Sequence, residues 1–168
     1  MVDEPQGPDA VQRATDACLR LLKARGRSRH ELNVALERKG YPESVRAAVL
    51  ARLSEWGYLD DAKFARERAA ALLGKGKLGP RAVLQRLQAH GLEGAAARRA
   101  LSEAKEAVGF DALGAARQVL ERRGLAGRPL DAKAQARAGR LLLSRGFAPD
   151  IVTQLVGEPS LDPSGQDE

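Results

Sequence analysis

Residues Lys39-Gly40-Tyr41 lie at the end of a predicted helix, and the same combination of basic, glycine and apolar residue returns as His90-Gly91-Leu92 and Arg145-Gly146-Phe147. From Gly40 to Gly91 is 51 residues and from Gly91 to Gly146 is 55, a spacing too regular for unrelated loops. Regular recurrence of one supersecondary unit is typical of repeat proteins. A unit of about 50 residues buries too little surface to be stable alone. The three segments therefore predict tandem units that pack on their neighbours.

Each predicted unit contains three helices. In the first unit, Ser28 and Glu31 form a capping box, Gly40 ends that helix and Pro42 starts the next. The third helix carries an expected buried stripe of Val45, Val49, Leu53 and Trp56. Aromatic residues make up only 4% of the chain, which also favours helices over strands. We expect an all-α protein with repeats at residues 10–59, 60–108 and 109–157, a flexible acidic leader (1–9) and a disordered acidic tail (158–168).

Positive charge is concentrated in the body of the chain. All 28 Lys and Arg residues but only 14 of the 22 acidic residues fall within residues 10–149, which gives this body a net charge of +14. Such a field favours a polyanionic partner such as nucleic acid. If the repeats stack in one orientation, their basic interhelix loops would line one edge and follow DNA phosphates. The candidate DNA contacts are Arg25, Arg27, Arg29, Lys39, Lys75, Lys77, Arg81, Arg122, Arg123 and Arg128.

The residues predict neither catalysis nor cofactor binding. GKGKLG at residues 74–79 is followed by Pro80, so it lacks the ending of a phosphate-binding loop. His30 and His90 are far apart in sequence without clustered cysteines, and no zinc site is expected. The single Cys18 lies on an apolar helical stripe and is expected to be buried. No apolar run approaches the roughly 20 residues of a membrane helix, and the start is acidic, so we expect a cytoplasmic monomer without enzymatic activity, cofactor or metal.

Residues 57–65 read GYLDDAKFA and connect the third predicted helix to the fourth. This string resembles the signature of the RecX family of recombinase regulators. Three further segments agree in order and spacing. They are residues 28–41 (SRHELNVALERKGY), 79–92 (GPRAVLQRLQAHGL) and 144–151 (SRGFAPDI), so that the resemblance covers residues 12–156.

The resemblance implies an elongated, curved array of three three-helix repeats that binds the RecA recombinase filament on DNA. It implies that the protein lies in the filament groove and inhibits or disassembles the filament. Such a protein regulates homologous recombination, DNA repair and the SOS response, and its partners are RecA and single- or double-stranded DNA.

The family motif itself is interpreted structurally. Gly57 would end one helix in a left-handed conformation, Tyr58 and Leu59 would fill the junction between units, and the two aspartates would cap the next helix. The motif residues are Gly57, Tyr58, Leu59, Asp60, Asp61 and Phe64.

Two other functions remain open at this point, and a third is disfavoured. A general DNA-binding helical-repeat scaffold would share the affinity for DNA but leave RecA unaffected. An adaptor for an acidic protein would bind little DNA even at low salt. A helix-turn-helix reader over residues 28–53 is disfavoured, because its second helix offers only Arg46 and Arg52 as bases and no Asn or Gln for base edges.

Overall fold

The structure is a computed structural model that describes Gly7, residues 9–127 and residues 129–157. These residues form nine α-helices and no β-strand, which confirms the predicted all-α class. The order fits three successive groups of three helices, while the repeat boundaries stay a prediction. Apart from Gly7 and Asp9, the predicted leader and tail lie outside the described residues. The helices are α1 (Ala10–Ala24), α2 (Arg29–Arg38), α3 (Glu43–Glu55), α4 (Asp61–Gly74), α5 (Pro80–Ala89), α6 (Gly94–Ala107), α7 (Ala112–Glu121), α8 (Ala132–Ser144) and α9 (Pro149–Val156).

Two compact units divide the chain. Unit 1 is Met1–Arg68 with Leu87–Ala100, and unit 2 is Ala69–Arg86 with Leu101–Glu168. Helices α1, α2 and α3 pack together in unit 1, and α7, α8 and α9 pack together in unit 2. Helices α4, α5 and α6 each contribute residues to both units.

Unit 1 has an aliphatic core between α1, α2 and α3. Cys18 is completely buried there, as its helical stripe predicts, and this burial raises the pKa of its thiol to about 11. Leu32 and Leu36 form the buried face of α2. Unit 2 has a second core in which Phe147 is only 1% exposed. The apolar residue after each repeated glycine therefore closes a core, since Tyr41 is likewise buried in unit 1.

Side-chain caps and left-handed glycines define several helix ends, and Pro42, expected to start α3, is its N-cap. Ser28 and Glu31 form both hydrogen bonds of the capping box of α2. Asp111 and Asp131 accept backbone N–H groups in the first turns of α7 and α8. Glycines with positive φ follow α2, α3, α5 and α8, a conformation that costs glycine little because it has no Cβ. They are Gly40, Gly57, Gly91 and Gly146, with φ between 76° and 84°.

Within unit 1, the turn after α5 contacts the start of α2. The Ser28 hydroxyl donates to the carbonyl of His90 at 2.7 Å while it also accepts the backbone N–H of Glu31. The Glu31 carboxylate accepts hydrogen bonds from the backbone N–H of Ser28 and from Arg25, and it lies 3.5 Å from Nδ1 of His90. Gly91 lies so close to His30 that a Cβ would overlap its side chain. We call this contact the Gly91 joint.

Within unit 2, the turn after α8 contacts the start of α5 in a corresponding way. The backbone N–H of Gly79 donates to the carbonyl of Arg145 at 2.7 Å, and that of Arg81 donates to the carbonyl of Gly146 at 3.1 Å. A Cβ on Gly146 would overlap the backbone of Ala82. A Cβ on Gly79 would overlap the backbone of the same turn. We call this contact the Gly146 joint.

The end of α3 differs from the sequence-based expectation. Trp56 was predicted on the buried stripe of this helix, but it is the C-cap residue and 52% of it is exposed. The helix ends one residue earlier, and Gly57 turns the chain away, so that the stripe of Val49 and Leu53 stops before Trp56. The prediction of a buried Trp56 was therefore wrong.

Candidate nucleic-acid interface

Two arginines of unit 2 contact the loop between α4 and α5. Arg122, at the end of α7, donates from Nη1 to the carbonyl of Gly76 at 3.3 Å. Arg145, at the end of α8, has its Nη1 3.5 Å from the carbonyl of Lys77. These contacts bring basic residues from two predicted repeats to one place. We call Lys75, Lys77, Arg122 and Arg145 the basic cluster.

The charged side chains of the basic cluster are accessible to an external ligand. Lys75, Lys77 and Arg122 are exposed, and Arg145 is half-buried because its helix end lies in the Gly146 joint. Arg122 and Arg145 contact backbone carbonyls rather than carboxylates in these hydrogen bonds, so their positive charges remain for an external anion. Exposed Lys and Arg side chains held near one another are what phosphate groups of a nucleic acid bind.

Three other predicted contacts of this region have different placements. Arg81 is exposed in the first turn of α5, and its backbone N–H belongs to the Gly146 joint. Arg123 is exposed directly beside Arg122. Arg128 lies outside the described residues. Arg145 was not among the predicted contacts, although its place in the repeated triplet before Gly146 was the signal that could have indicated it.

The predicted contacts of unit 1 do not form one cluster. Arg25 is ion-paired with Glu31 at 2.7 Å, so part of its charge is neutralised within the chain. Arg27 is half-buried. Arg29 is exposed and its Nη1 donates to the hydroxyl of Ser54 at 3.3 Å. Lys39 is exposed at the other end of α2, and a helix of 10 residues is about 15 Å long.

The family motif residues form the connection between α3 and α4. Gly57 has φ 76°, and the backbone N–H groups of Tyr58 and Leu59 both donate to the carbonyl of Leu53. Leu59 is buried in the core of unit 1. Tyr58 is 55% exposed, so the prediction that it fills a junction was wrong, because the left-handed turn at Gly57 leaves its ring at the surface.

The aspartates of the motif have separate partners. Asp60 caps α4 by accepting the backbone N–H of Lys63 at 2.9 Å. Asp61 accepts the backbone N–H of Arg29 at 2.8 Å, which ties the motif to the start of α2. The ring of Phe64 lies edge-on to the imidazole of His90, with 5.5 Å between centroids.

Glu31 is the carboxylate of the Gly91 joint. Partial burial opposes its ionisation, but the hydrogen bonds from Arg25 and from the backbone of Ser28 outweigh it, with further help from the charges of Arg25 and His90. The net effect lowers the pKa of the Glu31 carboxyl below its ordinary value. The capping box made Glu31 predictable from the sequence, whereas its contact with His90 has no sequence signal because the two residues are far apart along the chain.

The described residues contain neither a cluster of metal-binding side chains nor a membrane-spanning helix. Their His, Cys, Asp and Glu side chains form no group of three that could hold a metal ion. In the same part of the chain, no helix is long and apolar enough to cross a membrane.

The chain is similar to known regulatory proteins over most of its length. Residues 14–53 match the family described as RecX, first three-helix domain. Regulatory protein RecX of Mycolicibacterium vanbaalenii is 41% identical over 97 residues, which cover 54% of this chain and about half (51%) of that relative. Regulatory protein RecX of Mycobacterium sp. (strain JLS) is 37% identical over 166 residues, which cover 93% of this chain and 89% of that relative.

A solved structure shares the fold. The crystal structure of RecX from Lactobacillus salivarius matches with a TM-score of 0.70 and covers 87% of this chain and 94% of its own. The two sequences are 19% identical, so this likeness concerns the fold alone.

Proposed function

The chain belongs to the RecX family of regulatory proteins, and from this membership we propose that it regulates homologous recombination by binding a RecA filament on DNA. Bound there, it inhibits the filament or disassembles it. This is a binding function without covalent chemistry, since a protein that binds one state of a filament better than another shifts the equilibrium toward that state. RecA and DNA are its partners, and it acts as a monomer in the cytoplasm.

The basic cluster carries the DNA part of the proposal. Arg122 and Arg145 reach the loop that holds Lys75 and Lys77, so that four cationic side chains come from three separate segments of unit 2. A net charge of +14 over residues 10–149 adds a long-range attraction to the same ligand. We propose that the basic cluster binds the phosphates of a DNA segment.

Strand exchange by RecA tests the recombinase part of the proposal. Substoichiometric amounts of the protein should slow strand exchange and filament-dependent ATP hydrolysis. A pull-down of filaments, with and without DNA, separates this function from general DNA binding. Unchanged rates at saturating protein would refute regulation of RecA and leave the alternative of a DNA-binding scaffold.

Charge reversal tests the basic cluster. The double variant Lys75→Glu/Lys77→Glu should bind DNA more weakly, and the slope of log affinity against log salt should fall by roughly 1.5 because about two phosphate contacts are lost. The control is Lys133→Glu, an exposed lysine of the same unit in the first turn of α8, where a carboxylate is favourable. Equal salt slopes for both variants would relocate the DNA contact.

A further inference from the structure

An exposed aromatic pair lies at the end of α3 in unit 1. The rings of Trp56 and Tyr58 meet edge to face with 6.5 Å between their centroids. More than half of each side chain is exposed, at 52% for Trp56 and 55% for Tyr58. Large aromatic side chains at this exposure are uncommon in a folded protein, and together they form an apolar patch that the fold does not need for its core.

Two arginines lie at the same end of α3 as this pair. The guanidinium of Arg52 lies over the Trp56 ring at 5.7 Å from its centroid. Arg29 extends to the same end of α3, where its Nη1 donates to the hydroxyl of Ser54. The carboxylates of Asp60 and Asp61 accept backbone hydrogen bonds from Lys63 and Arg29, and Glu55 before Trp56 is exposed. We call Arg29, Arg52, Trp56 and Tyr58 the aromatic patch.

Aromatic rings beside arginines have a known use in binding unpaired nucleic acid. Each base has a flat π-face that stacks on an aromatic side chain, while arginines hold the neighbouring phosphates. A base inside a duplex is already stacked on both sides and offers no such face. The patch therefore suits a single strand better than a duplex.

We propose that the aromatic patch binds unpaired bases of single-stranded DNA, with Trp56 and Tyr58 as stacking surfaces and with Arg29 and Arg52 on the adjacent phosphates. The inference rests on the proposed association with DNA and adds a strand preference and a named site in unit 1. Trp, Tyr and Arg are also enriched at protein interfaces. The net charge of the body and the arginine on the ring favour the nucleic acid.

The single tryptophan of the chain provides a direct reporter of binding. Titration with oligothymidylate in the absence of RecA should quench the fluorescence of Trp56. An abasic strand of equal length, which has the same phosphates without bases, should cause little quenching, and a duplex should cause less than the single strand. Equal quenching by the abasic strand overturns the proposal, since the signal would then arise from phosphate binding alone.

Variants measure the contribution of the ring. In anisotropy titrations of labelled oligothymidylate, Trp56→Ala should weaken binding by about tenfold, and Trp56→Phe should recover most of this loss. Leu143→Ala is the control, because Leu143 is 49% exposed but lies in unit 2. Far-ultraviolet circular dichroism of each variant verifies that its helices are intact.

The outcomes separate this inference from the proposed function. If Trp56→Ala binds oligothymidylate as tightly as the unchanged protein, the stacking proposal is overturned and the patch belongs to a protein partner. Inhibition of RecA strand exchange by the same variant then shows that the regulatory function stands without it. If the unchanged protein binds no DNA at all, the stacking proposal and the proposed DNA contact of the basic cluster fail, while strand exchange by RecA still tests the regulatory function.

Discussion

The Gly91 joint and the Gly146 joint dock the same kind of turn in two chemically different ways. In unit 1, the side-chain hydroxyl of Ser28 donates to the carbonyl of His90, which is the first carbonyl of the turn. In unit 2, the backbone N–H of Gly79 donates to the corresponding carbonyl of Arg145. Gly79 occupies the place in its segment that Ser28 occupies in the earlier one. In both joints the first carbonyl of the turn accepts a hydrogen bond. A hydroxyl or a backbone N–H can donate it, since a carbonyl left without a partner inside the fold is costly.

The two joints consequently differ in what disturbs them. The Gly146 joint depends on close backbone approach, because a Cβ on either glycine would overlap its neighbour. The Gly91 joint adds the carboxylate of Glu31, whose pKa is lowered in the folded protein, so this joint responds to pH as well as to packing.

The largest expected effect is that of Gly146→Ala. The new Cβ would occupy a left-handed backbone conformation and overlap the backbone of Ala82, so we expect the free energy of unfolding to fall by about 3 kcal/mol. Urea unfolding followed by circular dichroism measures it. Gly124→Ala is the control, because Gly124 has φ 65° but nothing within 4 Å of an added Cβ, and only about 1 kcal/mol should be lost. Equal losses would show that close approach contributes nothing to the Gly146 joint.

A smaller effect is expected from Ser28→Ala in the Gly91 joint. The variant removes the N-cap of α2 and leaves the carbonyl of His90 without its donor, so we expect a loss of about 2 kcal/mol. Asp131→Ala removes a cap that makes only a local hydrogen bond, from Ala134, and should cost about 1 kcal/mol. The labelling rate of buried Cys18 with a thiol reagent reports unit 1 separately and should rise in Ser28→Ala. A rate equal to that of the unchanged protein would contradict a role of Ser28 in holding unit 1.

Local helix caps are readable from the sequence, whereas the long-range contacts of the two joints are not. Ser28, Asp111 and Asp131 act within three residues of themselves, and such local hydrogen bonds have fixed sequence spacings. The partners of Ser28 and Gly79 lie more than 60 residues away, where no spacing rule applies. Trp56 was mispredicted because periodicity assigns a face of a helix and does not register where the helix stops, and Tyr58 because the motif does not indicate which way the turn at Gly57 directs its ring. Lys75, Lys77 and Arg122 of the basic cluster were predicted from the sequence. Arg145 was not, because its contact with the carbonyl of Lys77 arises only in the folded chain.

The smallest expected effect is the pH dependence of the Gly91 joint. The pKa of the Glu31 carboxyl is lowered in the folded protein, so its contribution to stability is fully present above the ordinary value of 4.5 and is lost as the pH falls through the lowered pKa. Glu31→Gln should therefore be less stable than the unchanged protein at neutral pH, and the difference should shrink in acid. Thermal unfolding between neutral pH and pH 3 measures this difference.

Glu67→Gln is the matched control for that titration. Glu67 pairs with Lys63 at 3.9 Å, and both side chains are about two-thirds exposed, so its removal should hardly change stability at any pH. A difference for Glu31→Gln that stays constant down to pH 3 would show that the carboxylate is not held by ionic partners.

The burial of Cys18 makes the chain suitable for distance measurements by resonance energy transfer. Its thiol is inaccessible and has a pKa of about 11, so at neutral pH a dye would attach selectively to a second cysteine placed on the surface. Leu143→Cys in unit 2 offers such a position, and Trp56 in unit 1 is a native donor fluorophore. One substitution thus allows the distance between Trp56 in unit 1 and a dye in unit 2 to be measured, first in free solution and then after a filament is added.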